Sequence, residues 1–427
     1  MKNEIASLLF QTIEKNKEKY IKTLVDVVKI DTHDIDHGIG GGLEKHGQEY
    51  LRKLFIEMGA DVIADDPIKE EILLKSKEIY NEGNLGHNNV DRSNLYATFH
   101  GGGPSLLFNG HIDTMPVNSP DKWTVDPHGG VIKDGKLYGV GACDMKAGLV
   151  ASIMAVKAIK DAGLVLPGTV KFASVCDEEG GGNGSLVAAM NGVQADAVVV
   201  CEPTDYELIA AHMGWVFFEV EITGYAVHSG LKIKGVNAIE KMIKVINALN
   251  EMEHKWLLNY KHMLLPPPSL NIGVIKGGSA GSTVPDRCIV QICVHYQPGM
   301  SHDLVVADVT ETISLCSEGD DWLREHRPRI SIYQNGNPFE MDLTNPFVKT
   351  FKQSFEEATG DLIQVVGSPA GCDSRTWRTI AKCPTLQYGP GRLAQCHAVD
   401  EYVDIEQYID AIKIYATLIM NWGEKEA

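Results

Sequence analysis

Five short segments of this chain carry side chains able to hold a metal ion or move a proton. They are Asn109-Gly110-His111-Ile112-Asp113, Gly141-Ala142-Cys143-Asp144-Met145-Lys146, Cys176-Asp177-Glu178-Glu179-Gly180, Cys201-Glu202-Pro203-Thr204 and Cys396-His397-Ala398-Val399-Asp400-Glu401. Each has an ordinary reading by itself. His111 and Asp113 form either a structural pair or a metal-ligand histidine whose second ring nitrogen a carboxylate holds, with Asp113 fixing the tautomer. Asp144 precedes a helical pattern and suits an N-cap. Three consecutive carboxylates repel one another unless they lie in a solvated turn or around a cation. Neighbouring residues of an extended chain point opposite ways. On that reading Glu179 ligates a metal while Glu178 holds the water beside it. His111, Asp144, Glu179, Glu202 and His397 then make five nitrogen and oxygen donors, each just past an apolar run. Such a donor set suits zinc, with cobalt or manganese as alternatives.

The elements that must position these donors follow from periodicity. Leu8, Leu9, Ile13, Ile21, Leu24, Val25 and Val28 recur at helical spacing over residues 5–28. From about residue 92, apolar runs (95–99, 105–109, 170–176 and 197–201) alternate with a helical pattern over 145–162. The pattern resumes with runs at 363–367 and 385–388 and helices near 374–381 and 405–422. This alternation predicts an α/β sheet covered by helices, whose strand ends are where open sheets place their sites. Between the halves, 216–223, 237–253, 269–276, 287–296, 302–317 and 329–333 read as β-α-β-β-α-β, a ferredoxin-like unit. A second domain at 212–335 is therefore expected inside a discontinuous catalytic domain of 1–211 and 336–427. Residues 65–92 are expected as a polar surface excursion with one short helix. The glycine-rich stretches at 38–47 and 180–184 lack the lysine of a phosphate loop and are read as turns.

A chain of 427 residues with 39 basic and 57 acidic side chains carries a net charge of −18. That balance disfavours nucleic acid and anionic membranes as partners and leaves a small-molecule substrate as the expectation. Met1-Lys2-Asn3-Glu4 opens no basic and apolar leader, and no run reaches the roughly 18 apolar residues of a membrane span. Nine scattered cysteines without a C-x-x-C pair predict reduced thiols and a cytoplasmic location.

Taken in order, the motifs resemble the ArgE/DapE/aminoacylase family of di-zinc deacylases and metallopeptidases over nearly the whole chain. The correspondence covers G-H-x-D, G-x-x-D-M-K-x-G, D-E-E-x-G, E-P-T, the segment Gly224 to Gly230 around His228, and G-P-G-x-x-x-x-H-x-x-D-E. The resemblance implies a zinc-exopeptidase-like catalytic domain with a mixed, largely parallel sheet, and an inserted domain that dimerises. It also implies two zinc ions per chain bridged by Asp144, one held further by His111 and Glu202, the other by Glu179 and His397. Glu178 becomes the general base and Asp113 the support of His111. His228 is implied to reach a partner subunit's site and donate to the oxyanion. Paired metals polarise a carbonyl and acidify water, and a general base typically adds 10²–10⁴-fold.

The substrate follows from the same resemblance. Arg375, Ser282 and Gly371 fall at positions where relatives bind substrate. Two departures stand out: Ser282 and His295 lie where many relatives carry the Asn and Arg of a carboxylate clamp. The leading expectation is removal of a small acyl group from an N-acyl amine or amino acid, as in acetylornithine deacetylase or succinyl-diaminopimelate desuccinylase. A dipeptidase or carboxypeptidase, and a deformylase of an N-formyl aminopyrimidine, are alternatives within the same chemistry. A metal-binding pseudoenzyme scaffold is the alternative of a different class, and the presence of Glu178 argues against it.

Overall fold

The computed structural model describes residues 3–424; Met1 and Lys2, where the expectation about a leader begins, lie outside the described residues. The described residues divide into two compact units: those of 3–210, 341–366 and 372–424 form the first, and residues 211–340 with 367–371 form the second.

In the first unit a mixed sheet is built outward from the strand Gly103–His111. That strand pairs in parallel with Gly168–Val175 on one side and Ala197–Val200 on the other. Thr385–Gln387 continues the parallel set beyond Ala197–Val200. Ser93–Phe99 and Val62–Pro67 add antiparallel strands at the other flank. The central strands are buried on both faces, which is why they read as continuous apolar runs and not as alternating ones. The helix Ala147–Asp161 is apolar nearly all round and packs against Ile405–Gly423 and Asn3–Val28.

One glycine decides how close the donors come. A Cβ on Gly148 would lie 1.8 Å from the carbonyl oxygen of Cys201. Only glycine therefore lets the first turn after Asp144 press onto the strand end that carries Glu202.

The second unit is a four-stranded antiparallel sheet in the order Ser269–Gly277, Arg287–Tyr296, Gly214–Thr223, Arg329–Gly336. Val216, Phe218, Val220 and Ile222 alternate inward and pack with Met242, Val245 and Leu249 of the helix Ala238–Asn259. Val305, Val309 and Ile313 of the helix His302–Glu318 close the same core. This is the ferredoxin-like order, reached because strand alternation and helix spacing both point at one layer.

The expectation for residues 65–92 needs correction. A helix, Glu70–Tyr80, is present, but Glu82 and Arg92 at the end of the stretch are buried, 3% and 1% exposed. The helix Glu44–Glu57, absent from the expectations, supplies Glu44 as one partner of Arg92. Asp34 and Asp177 are the others. A charged residue reads as surface in one dimension, yet here one guanidinium is held inside among three carboxylates.

Candidate active site

Seven of the expected residues meet at the strand ends of the first unit. His111 ends its strand 1% exposed, and Asp113 follows, fully buried. The His111 ring is oriented by main chain: Nδ1 lies 2.9 Å from the carbonyl oxygen of Asp113, whereas the Asp113 carboxylate is 3.8 Å away. The expected carboxylate support of the tautomer is thus supplied by the peptide carbonyl. That bond makes Nδ1 the protonated nitrogen and leaves Nε2 as the donor atom. The Asp113 carboxylate instead accepts from the Glu179 amide at 2.9 Å, tying the two motifs together. Its other oxygen has no hydrogen-bond partner among the described residues.

Asp144 stands between two histidines. Oδ1 is 3.1 Å from His111 Nε2, and Oδ2 is 3.5 Å from His397 Nε2. His397 also lies 3.0 Å from Glu179 Oε2. Glu202 Oε1 is 3.8 Å from His111 Nε2. Donor atoms of His111, Glu178 and Glu202, and of His111, Asp144 and Glu179, lie within 4.8 Å of one another. Glu178 and Glu179 do not separate as neighbours of an extended chain do. They sit in a turn closed by Gly181 and Gly182 amides onto Glu178 and Asp177 carbonyls, entered through a left-handed Asp177 at φ 63°.

The electrostatics favour a cation. Burial, then the nearby Asp373 carboxylate, pushes Glu178 well above the usual carboxylate range. Burial and Asp144 do the same to Glu202, and burial raises Asp113 to about 8. Bonds to Asp144 and Glu179 push His397 up to about 11. Burial works against the charged form of His111, yet the Asp144 hydrogen bond and the surrounding carboxylates hold it well above its ordinary value. Five carboxyl groups packed with two histidines cannot all ionise together in a buried pocket, and a cation would let them do so. The two differently aimed oxygens of Asp144, each facing a different histidine, fit a pair of metal ions.

The remaining expected residues are placed differently. Arg375 is 2% exposed, and its guanidinium already bonds the Cys372 carbonyl at 2.7 Å, the Gly181 carbonyl at 2.9 Å and Glu82 at 3.4 Å. Where an anion binder is expected, the guanidinium meets the carbonyl that opens the 181–182 turn and the buried Glu82. His228, Ser282 and Gly371 belong to the second unit. His228 is exposed and bridges to Thr283, with the Ser229 amide on the Ser282 carbonyl at 2.8 Å. Gly371 lies against Trp215, whose ring a Cβ would meet at 2.1 Å. No helix among the described residues is long and apolar enough to cross a membrane.

Comparison with known proteins agrees with this geometry. Residues 107–421 match Peptidase family M20/M25/M40. The N-formyl-4-amino-5-aminomethyl-2-methylpyrimidine deformylase of Bacillus subtilis is 32% identical over 342 residues, 75% of this chain and 80% of that protein. The acetylornithine deacetylase of Proteus mirabilis is 30% identical over 336 residues, 77% and 82% of the two chains. The solved structure of the di-peptidase Dug1p of Saccharomyces cerevisiae shares the fold, with a TM-score of 0.75 at 17% identity over 99% of each chain. With its His, Asp and Glu donors gathered at the sheet's strand ends, the chain belongs to Peptidase family M20/M25/M40 and is a metal-dependent hydrolase of amide bonds.

Proposed function

We propose that the protein removes a small acyl group from an N-acyl amine, with an N-formyl aminomethylpyrimidine as the favoured substrate. The single observation behind the chemistry is Asp144, whose two oxygens face two different histidines. Two zinc ions per chain would fit that arrangement: His111 and Glu202 would hold one, Glu179 and His397 the other, and Asp144 would serve both. When bound, they supply Lewis acidity to the scissile carbonyl and to water. Glu178 takes the proton of the attacking water and hands it to the departing nitrogen. His228 of the partner subunit donates to the developing oxyanion in a homodimer. The buried thiols of Cys143, Cys176 and Cys201 suit a cytoplasmic enzyme.

The formyl reading is supported by the Bacillus subtilis relative and by Arg375, whose engagement with Glu82 removes it as a clamp for a substrate carboxylate. The test is a side-by-side assay of the zinc- and cobalt-loaded protein. N-formyl-4-amino-5-aminomethyl-2-methylpyrimidine, N-acetylornithine, N-succinyl-diaminopimelate and a set of dipeptides are compared. The formyl substrate is expected to lead by about 10²-fold in kcat/KM, a gap of roughly 2.7 kcal/mol in transition-state binding. A dipeptide or an acetylated amino acid in first place would replace this substrate assignment.

A further inference from the structure

We infer that Glu401 is a positioning residue for the metal centre, acting through the backbone that presents Asp144. The inference rests on reading the Asp144 cluster as a metal site. Glu401 is 3% exposed. One of its carboxylate oxygens accepts from the amides of Cys143 at 2.8 Å and Asp144 at 3.0 Å. The other accepts from the Gly141 amide at 3.1 Å.

Three main-chain N–H groups thus converge on one carboxylate. Gly141 makes this possible with a left-handed φ of 74°, the conformation that turns successive amides toward one side and forms an anion-binding nest. Glu401 is in neither group of clustered donor atoms, so it acts on the site through the turn that its oxygens hold. Its own backbone is fixed in turn. The Gly139 amide donates to the Glu401 carbonyl at 3.0 Å, and Tyr402–Asp404 pairs antiparallel with Lys136–Tyr138.

The segment from 397 to 404 therefore does two jobs. His397 approaches Asp144 Oδ2, and Glu401, four residues on, holds the Asp144 amide from the other side of the peptide. Without the carboxylate, three buried amides lose their acceptor and the turn has no reason to keep its shape. The aim of the Asp144 side chain is then no longer set.

Cobalt(II) titration of metal-stripped protein, followed by visible absorption, tests this without relying on turnover. The stability of the metal-free protein is measured alongside in urea. In E401Q the amide oxygen can still accept from Cys143 and Asp144, but its NH₂ group faces the Gly141 amide, donor against donor. E401D keeps the charge and falls short of the nest, and it serves where E401Q does not fold. Both are expected to bind cobalt about 10–100-fold more weakly, the usual effect of losing a group that orients a ligand, with altered absorption bands. A merely structural residue would lower the urea midpoint and leave cobalt affinity of the folded protein at the wild-type value. Wild-type cobalt binding with variants within twofold of it overturns this inference and leaves the metal centre standing. Failure of the wild-type protein to bind cobalt overturns the metal reading, and the inference with it.

Discussion

His111 Nε2 lies 3.1 Å from Asp144 Oδ1. Asp144 has its second oxygen 3.5 Å from His397, so one carboxylate serves both histidines. Metal-replete protein should accordingly contain about two ions per chain. Asp144→Ala should lower occupancy of both, whereas Glu202→Gln should lower one. Elemental analysis with no bound metal, or full activity after exhaustive chelation, would refute the binuclear reading.

The adjacent glutamates should separate by role. Glu178→Gln should keep its metal and lose about 10²–10⁴-fold or more in kcat. Glu179 lies 3.0 Å from His397, and Glu179→Gln should weaken metal binding first. Equal metal loss in the two variants would mean that Glu178 is a ligand and not the base, an outcome its proximity to His111 and Glu202 makes worth measuring.

Arg375 should behave as a structural residue. Replacing it with Met removes the guanidinium beside the buried Glu82 and Asp373, and breaking a buried ion pair typically costs about 3–5 kcal/mol. Thermal unfolding should move sharply down while KM of the folded fraction changes little. A stable Arg375→Met protein with a KM raised tenfold would restore the anion-binding role.

Asp320 links stability to pH in the second unit. Burial opposes its charged form, but hydrogen bonds from Lys241 at 2.8 Å and Lys244 at 2.5 Å hold its carboxyl well below the usual range. A depressed folded-state value contributes stability above the unfolded value of about 4, and the contribution is lost as pH falls through the folded one. Asp320→Asn retains the N-cap geometry and should cost roughly 1–3 kcal/mol at pH 7. The gap between the two proteins' urea curves should stay constant above about pH 5 and narrow progressively as pH falls below about 4. A gap that fails to narrow there would show that the charge contributes nothing.

His228 tests the dimer. His228→Ala and Glu178→Gln should each be nearly inactive. Co-expressed, half of randomly paired dimers are hybrids with one complete site of two, giving about a quarter of wild-type activity under isologous exchange. Hybrids isolated by two tags and found inactive would place His228 in its own subunit's site, as would a fully active monomer by light scattering.

Local pattern alone was enough for most of the strands and helices and for singling out the donors, though not for the helix Glu44–Glu57. Val216, Phe218, Val220 and Ile222 announce a half-buried strand because side chains alternate at every second residue, and the period is written into the chain itself. His111, Glu179 and Glu202 could be picked out because each lies within a few residues of the end of an apolar run. What surrounds them was not readable in this way. Arg92 finds Glu44 and Asp177 across 48 and 85 residues. Arg375 finds Glu82 across 293. Glu401 reaches the Gly141 turn across 260. A charged side chain has the same letter whether it is solvated or paired inside. The cost of burying it is repaid only by a partner that folding brings near, so only the tertiary structure decided which charges build the site and which merely cover the surface.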